Sequence, residues 1–357
     1  MQVAANIEAA GMSDWELNDA FAFGVVPGKV VSEVLADALP ETVGIVRDAY
    51  LAQAAGLANN PPSHFLRFDD RPADRIIALA ADLKDEPAVA GLKWIASWPE
   101  NVSSGIPRAS AVLILNRRDT GYPFAILEAS LISAVRTAAS AVLAAESLIA
   151  AIRPQGRVGL RVGFAGCGII ARNIYDMFRA RKWEFREVAA FDTHQESARA
   201  FLDHAGRQTA TSLAATQDDL IASSDIVVFA TTAPRPHVFS PEVFENNPLV
   251  LHISLRDLSE QIILASNNIL DDVDHCLQAD TSPHLAEKMS GGRAFVTGTI
   301  SDVLNGTISI DPARPTIFSP FGMGIIDLAV GRFVYREACR RKLVVDIDGF
   351  FHERRRW

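Results

Sequence analysis

A chain of 357 residues with 49% hydrophobic and 22% charged residues has the balance of a folded protein and the length of two domains, which excludes a disordered or collagen-like chain. The formal net charge of −9 argues against nucleic acid as a partner, because neutralising phosphates takes a basic surface. Cys167, Cys276 and Cys339 are odd in number and far apart, so neither a disulfide framework nor a zinc pattern is expected, which suits a reducing cytoplasm.

Met1 to Asn18 holds no basic stretch followed by an apolar block, so no signal peptide is expected. The apolar runs fall short of the roughly 18 residues of a membrane helix, and no membrane partner is expected. Val30 to Ala55 carries apolar residues at helical spacing, with Pro40 opening a second helix and Asn59-Asn60-Pro61-Pro62 stopping it. From Phe65 to Leu115, short apolar runs (Arg75–Leu79, Val89–Ile95, Ser110–Leu115) broken by Asp, Pro and Gly read as strands and hairpins. Asp119-Thr120-Gly121 reads as a turn. Leu127 to Ile152 reads as one Ala-rich helix ended by Pro154 and Gly156.

A regular alternation follows. Strands are expected at Arg161–Ala165, Val188–Phe191, Ile226–Ala230, Leu249–Ile253 and Ile269–Val273. Helices are expected at Ile169–Arg181, Gln195–His204 and Leu213–Ala222. This pattern predicts a parallel sheet covered by helices. Gly324 to Arg341 reads as a last helix, and Arg354-Arg355-Arg356-Trp357 as a frayed tail.

Val162 to Ala171 is a strand running into Gly166-x-Gly168-x-x-Ala171 and then a helix. Gly166 permits the turn, Gly168 lets the backbone approach a pyrophosphate, and Ala171 lets the helix pack close to the strand. The helix start at Ile169 and Ile170 offers free N–H groups to phosphates. Asp192 stands 21 residues after Ala171, where an acid bonds a ribose diol and repels a 2′-phosphate, so NAD is expected over NADP. Thr231 and Thr232 end the later strand, either lining the cofactor or as a polar loop.

Three charged residues stand in apolar company. Lys93, in a strand-like run, faces either outward or inward. Arg136, near the start of the Ala-rich helix, is either a bidentate carboxylate anchor or a surface arginine. Asp257, just after a strand, either faces the cleft or caps a helix. His275 and His284 lie apart and read as structural, and no metal is expected.

The sequence resembles the ornithine cyclodeaminase/mu-crystallin family from about Pro61 to Cys339, in specific blocks. The blocks are Gly91-Leu92-Lys93-Trp94, Gly121-Tyr122-Pro123, the segment from Glu128 to Ser140 with Arg136-Thr137-Ala138-Ala139, the Gly166 turn, and Phe318 to Asp327. Within the family, Ala73 to Ala78, Lys93-Trp94-Ile95 and Pro320 to Gly324 are most similar to the N-(2-amino-2-carboxyethyl)-L-glutamate dehydrogenases, which make 2,3-diaminopropionate for siderophores or antibiotics.

The resemblance implies an α/β fold. A Rossmann-type NAD domain (135–319) joins an α+β substrate and dimerisation domain built from the N-terminal part and the C-terminal helix (1–134 and 320–357). It implies a cytoplasmic homodimer acting on a small amino acid. Lys93 and Arg136 would hold substrate carboxylate, with Arg67 or Arg75 as a second cation. Thr137, Gly166, Gly168, Ile169, Ile170, Asp192, Thr231 and Thr232 would meet NAD. Asp257 would be the general base that activates water, with Lys93 favouring the attack. Leu258-Ser259-Glu260-Gln261 lacks the lysine of many members, and Ile326 and Pro320 replace an acid and a serine of cyclodeaminases. Ornithine cyclodeamination, alanine dehydrogenation and ketimine reduction are alternatives inside the family. A non-catalytic, crystallin-like nucleotide-binding protein is the alternative of another class.

Overall fold

The computed structural model describes residues 21–153, 156–207 and 209–355. The expectations for Met1 to Asn18, Pro154, Arg356 and Trp357 lie outside them. The elements open with β1 (Gly24–Val26), α1 (Gly28–Asp37) and α2 (Leu39–Ala54). Strands β2 (Ala58–Asn59), β3 (His64–Phe68), β4 (Arg71–Leu83) and β5 (Val89–Ser97) follow, then β6 (Ala109–Arg117) and β7 (Pro123–Glu128). Helix α3 (Ser130–Ile152) leads into β8 (Arg161–Ala165), α4 (Ile169–Ala180), β9 (Glu187–Phe191), α5 (Gln195–Ala205) and β10 (Thr211–Leu213). Then come α6 (Gln217–Ala222), β11 (Ile226–Phe229), β12 (Leu249–His252), α7 (Glu260–Ala265) and β13 (Asn267–Leu270). The chain continues through α8 (Val273–Cys276), α9 (Ser282–Ser290), β14 (Val296–Thr299), α10 (Ile300–Asn305) and β15 (Thr316–Ser319). It closes with α11 (Gly324–Arg340) and β16 (Val345–Asp346).

The chain forms two compact units. Of the described residues, the first takes those up to Ala38, Ala55–Ser133 and those from Gly324; the second takes Leu39–Ala54 and those within Ala134–Met323. In the first unit the sheet order is β16-β1-β7-β6-β5-β4-β2, with β3 also on β4. The long strands β4 to β7 pair antiparallel, while β1 joins β7 in parallel. Paired residues of adjacent strands share a face. Leu79, Lys93 and Leu113 are opposed across β4, β5 and β6, and all three are buried.

In the second unit eight strands run in the order β10-β9-β8-β11-β12-β15-β13-β14, every neighbouring pair parallel. The order reverses where β8 meets β11, which is where a doubly wound sheet opens a crevice at its carboxyl edge. Val227, Phe229, Val250 and Ile317 form its fully buried core, which fits near-continuous apolar strands covered on both faces.

The structure departs from the sequence expectations at several points. Helix α2 groups with the second unit, whereas the expected division placed everything up to residue 134 in the first domain. Tyr50 Oη bonds Ser140 Oγ at 3.0 Å, and Ser301 Oγ donates to the Tyr50 carbonyl at 3.0 Å. Periodicity shows that a helix has a buried face but not which core receives it. Leu127 belongs to β7 opposite Leu113, and the Glu128 carboxylate accepts the Ser130 N–H at 2.7 Å, so the helix starts only there. Leu213 ends β10, and the helix waits for Thr216, whose hydroxyl accepts the Asp219 N–H at 3.0 Å. Val273 opens α8 rather than ending a strand, because Asp272 accepts the His275 N–H at 2.9 Å.

Helix α3 also corrects the reading of apolar runs. It is long and apolar enough to cross a membrane by length and composition. Most of it is buried, and Ala138, Ala141, Val142, Ala145 and Leu148 are at 0% exposure, so it serves as a core helix.

Candidate functional site

The turn after β8 is built around one glycine. Gly166 sits at φ +83°, and a Cβ there would come within 2.7 Å of the Ala230 carbonyl carbon. Both its conformation and its surroundings therefore require glycine. Gly168 opens α4, with nothing within 4 Å of where its Cβ would stand. Ile169 is 66% exposed and Ile170 half-buried, so α4 starts at the surface, and the first N–H groups of a helix have no partner within it. Asp192 closes the turn from the end of β9. Its Oδ2 accepts the Cys167 N–H and its Oδ1 the His194 N–H, each at 2.8 Å. An open glycine-lined cradle, a helix start and an acid at the next strand end together fit a dinucleotide. Arg136 and Thr137 lie half-buried on α3, and Thr232 is exposed just past β11.

Asp257 lies fully buried in the turn after β12. The residue before α7 is Ser259, so Asp257 is not that helix's cap. Its Oδ2 is 3.1 Å from His252 Nε2 and also takes the Ser254 hydroxyl, while its Oδ1 takes the Thr231 hydroxyl. Its main-chain carbonyl accepts the N–H groups of His237 and Val238, each at 2.9 Å, which ties the loop after β11 to this turn. Burial pushes the Asp257 carboxyl up; the bonds from His252, Ser254 and Thr231 outweigh it and hold the group below the usual carboxylate range. Asp257 is thus ionised at neutral pH, with three side-chain donors around its carboxylate. Thr231, read from sequence as lining the cofactor or as a polar loop, is one of its donors.

A second buried carboxylate orders the neighbouring loop. Asp271 accepts the Phe321 N–H at 2.9 Å, the Gly322 N–H at 2.7 Å and the Cys276 thiol at 3.0 Å. Gly322, at φ +93°, would place a Cβ 2.7 Å from Arg136 Nη1, so the guanidinium lies over a position without a side chain. We expect Gly322→Ala to push Arg136 aside and raise the KM for substrate about tenfold, with NAD affinity kept; a bidentate carboxylate contact is worth that much. An unchanged KM in a folded variant removes Arg136 from substrate binding.

In the first unit, Lys93 faces inward. It is 1% exposed, and its Nζ lies 2.6 Å from Asp327 Oδ2 on α11 and 3.3 Å from Ser133 Oγ. Arg67 and Arg75 are direct cross-strand partners, and the even spacing from Arg75 to Leu79, the partner of Lys93, puts all three cations on one face. Arg67 is exposed, with its guanidinium 5.3 Å from the Phe65 ring centre. Arg75 is half-buried. Asp327, His252, Ser254 and Asp271 were not singled out from sequence. For Asp327 a signal existed: an acid at helical spacing on the apolar face of α11. His275 is buried, with Nδ1 2.9 Å from Asp272 Oδ1. Among the described residues no group of three or more His, Cys, Asp or Glu is placed to hold a metal.

The profile of the ornithine cyclodeaminase/mu-crystallin family matches residues 29–342. The chain belongs to that family. Within the family it is similar to N-((2S)-2-amino-2-carboxyethyl)-L-glutamate dehydrogenase of Staphylococcus aureus (strain NCTC 8325 / PS 47), 28% identical over 87% of this chain and 92% of that one. Alanine dehydrogenase of Archaeoglobus fulgidus is also 28% identical, over 87% of this chain and 94% of its own. Among solved structures, an archaeal alanine dehydrogenase dimer with bound NAD superposes with a TM-score of 0.80 at 25% identity, covering 93% of this chain and all of that one. The ornithine cyclodeaminase/mu-crystallin relatives named here are thus dehydrogenases.

Proposed function

We propose that this protein is an NAD-dependent oxidoreductase that converts N-(2-amino-2-carboxyethyl)-L-glutamate and water to 2-oxoglutarate and L-2,3-diaminopropionate, working as a homodimer. The observation that carries this reading is that Lys93, Arg75 and Arg67 share one face of the first unit's sheet, the lysine paired there with Asp327. A substrate with three carboxylates matches several cations spread across three neighbouring strands. Arg75 and Leu79, the row of Lys93, are about 13 Å apart at the usual strand rise, too far for one carboxylate. Alanine has a single carboxylate and ornithine is a net cation, whereas the three carboxylates of the proposed substrate outnumber its two amines.

NAD, when bound, supplies the acceptor for the hydride leaving the glutamate Cα. The Gly166–Ile170 turn and Asp192 would hold the dinucleotide, with the pyrophosphate suited to the helix start and the ribose to the carboxylate. Lys93 and Arg136 bind substrate carboxylates and so remove orientational freedom before the chemical step. Asp257 takes a proton from water at a carboxylate oxygen as that water adds to the imine carbon. The adduct then breaks its C–N bond, and the nitrogen leaves on diaminopropionate with the proton.

The test follows NADH and products with N-(2-amino-2-carboxyethyl)-L-glutamate, L-alanine and L-ornithine in parallel. NADH with 2-oxoglutarate from the first substrate is the expected result. NADH from alanine alone, or proline from ornithine without net NADH, would replace the proposed reaction by a different one within the family. Silence with all three would favour a binding protein. For the cofactor, we expect Asp192→Ala to weaken NAD about tenfold in calorimetry, since a charge-assisted bond is lost. Unchanged affinity takes Asp192 out of the cofactor site.

A further inference from the structure

We infer that His252 is a positioning residue for this reaction: its imidazole, braced by Ser319, fixes the direction in which the Asp257 carboxylate presents its free lone pair to water. The inference rests on the reading of Asp257 as the base.

A neutral polar ring in a dry core is costly unless both nitrogens are bonded. His252 is fully buried at the end of β12, and both its nitrogens have partners: Nε2 is 3.1 Å from Asp257 Oδ2, and Nδ1 is 3.3 Å from Ser319 Oγ. The Asp257 main-chain N–H is directed at the same Nε2 at 3.2 Å, so this nitrogen serves the turn in either tautomer: without a proton it accepts from the main chain, with one it donates to the carboxylate. The tautomer that gives the buried carboxylate a donor carries the proton on Nε2 and leaves Nδ1 to accept from the Ser319 hydroxyl. The ring lies edge-on to Phe229, with centroids 5.9 Å apart and planes at 79°.

Three donors reach Asp257, but they are not equivalent. A hydroxyl can turn about its C–O bond to accept instead, as Ser254 can; Thr231 Oγ1 is partly held, because it accepts the Ala233 N–H at 3.2 Å. An imidazole N–H points only along the ring, and this ring is held from its far side. His252 is therefore the donor of the three whose direction is set by a rigid ring held from its far side.

The other ionisable groups that face Asp257 are accounted for. From the loop after β11, His237 places Nε2 3.9 Å from Oδ1, and the same nitrogen is 3.1 Å from Gln217 Oε1. On the turn itself, Arg256 directs Nη2 to the Ala279 carbonyl at 2.7 Å. His237 and Arg256 stay in place in every variant below.

A donor to the ionised carboxylate favours that form, so its removal raises the proton affinity of Asp257. The acid limb of kcat/KM must then move to higher pH. The experiment compares kcat, KM, pH profile and NAD affinity for the wild type, His252→Phe, His252→Asn and Ser319→Ala, on the substrate that supports wild-type turnover. We expect His252→Phe to lower kcat about tenfold and to move the acid limb up by about one pH unit, with substrate KM and NAD affinity within about twofold of wild type. His252→Asn, which restores an N–H, recovers part of the loss. Ser319→Ala frees the ring and shows a smaller shift in the same direction, which keeps the test open where His252→Phe does not fold. A folded His252→Phe with a wild-type acid limb overturns the inference, even if kcat falls evenly across pH. Wild-type turnover in Asp257→Asn overturns the reading of the base itself; loss there with an unmoved limb in the His252 and Ser319 variants overturns only the positioning role.

Discussion

Asp257→Asn is expected to cut turnover by about 100- to 10,000-fold, the range a positioned general base contributes, and to leave the NAD dissociation constant unchanged. The substitution is isosteric, and the site can absorb it. The amide oxygen keeps one set of donors, and the Thr231 or Ser254 hydroxyl can reverse to accept from the new NH2. The fold therefore survives while the proton acceptor is gone. Turnover and NAD titration on the same preparation separate the two effects. A variant that binds NAD and turns over like wild type removes Asp257 from the chemistry.

The second large effect falls on stability. Lys93 and Asp327 form an ion pair at 2.6 Å with side chains at 1% and 0% exposure. Such a pair gains little over an apolar pair of the same shape, but losing one partner strands the other charge in the core. We expect Lys93→Met to lower the unfolding free energy by about 3–5 kcal/mol. The double variant Lys93→Met with Asp327→Leu should recover most of that stability and still lack activity, because Lys93 is also the proposed carboxylate ligand. Urea melts of the two single variants and the double give the coupling directly. Equal stability of Lys93→Met and wild type would mean that water reaches the pair.

The alternating strands and helices after Arg161 were legible because each apolar run is short and bounded, and because the Gly166 turn has a mechanical need for its spacing. The inward face of Lys93 was not legible. A lone lysine in a strand reads equally well outward until the opposed residues Leu79 and Leu113 show which side is dry. The short strands Gly24–Val26 and Val345–Asp346 were missed for a related reason. They pair with residues distant in sequence, so nothing local marks them. The site was half legible. Asp257 stands out as an acid beyond an apolar strand, whereas His252 within that strand has no pattern of its own. Its meaning comes from the turn that folds Asp257 back onto it.

The placement of α2 bears on how this protein can be taken apart. The second unit is not one stretch of chain, because Leu39–Ala54 precedes the rest of it by most of the first unit. A fragment cut as 134–323 would lack the helix that carries Tyr50, and would uncover Ser140 and Ser301, which that helix now shields. The nucleotide half is therefore not portable as a contiguous cassette. A fusion that joins residue 54 to residue 134 through a designed linker keeps its core whole. Exchange of this half between relatives by a single crossover would carry over a mismatched α2.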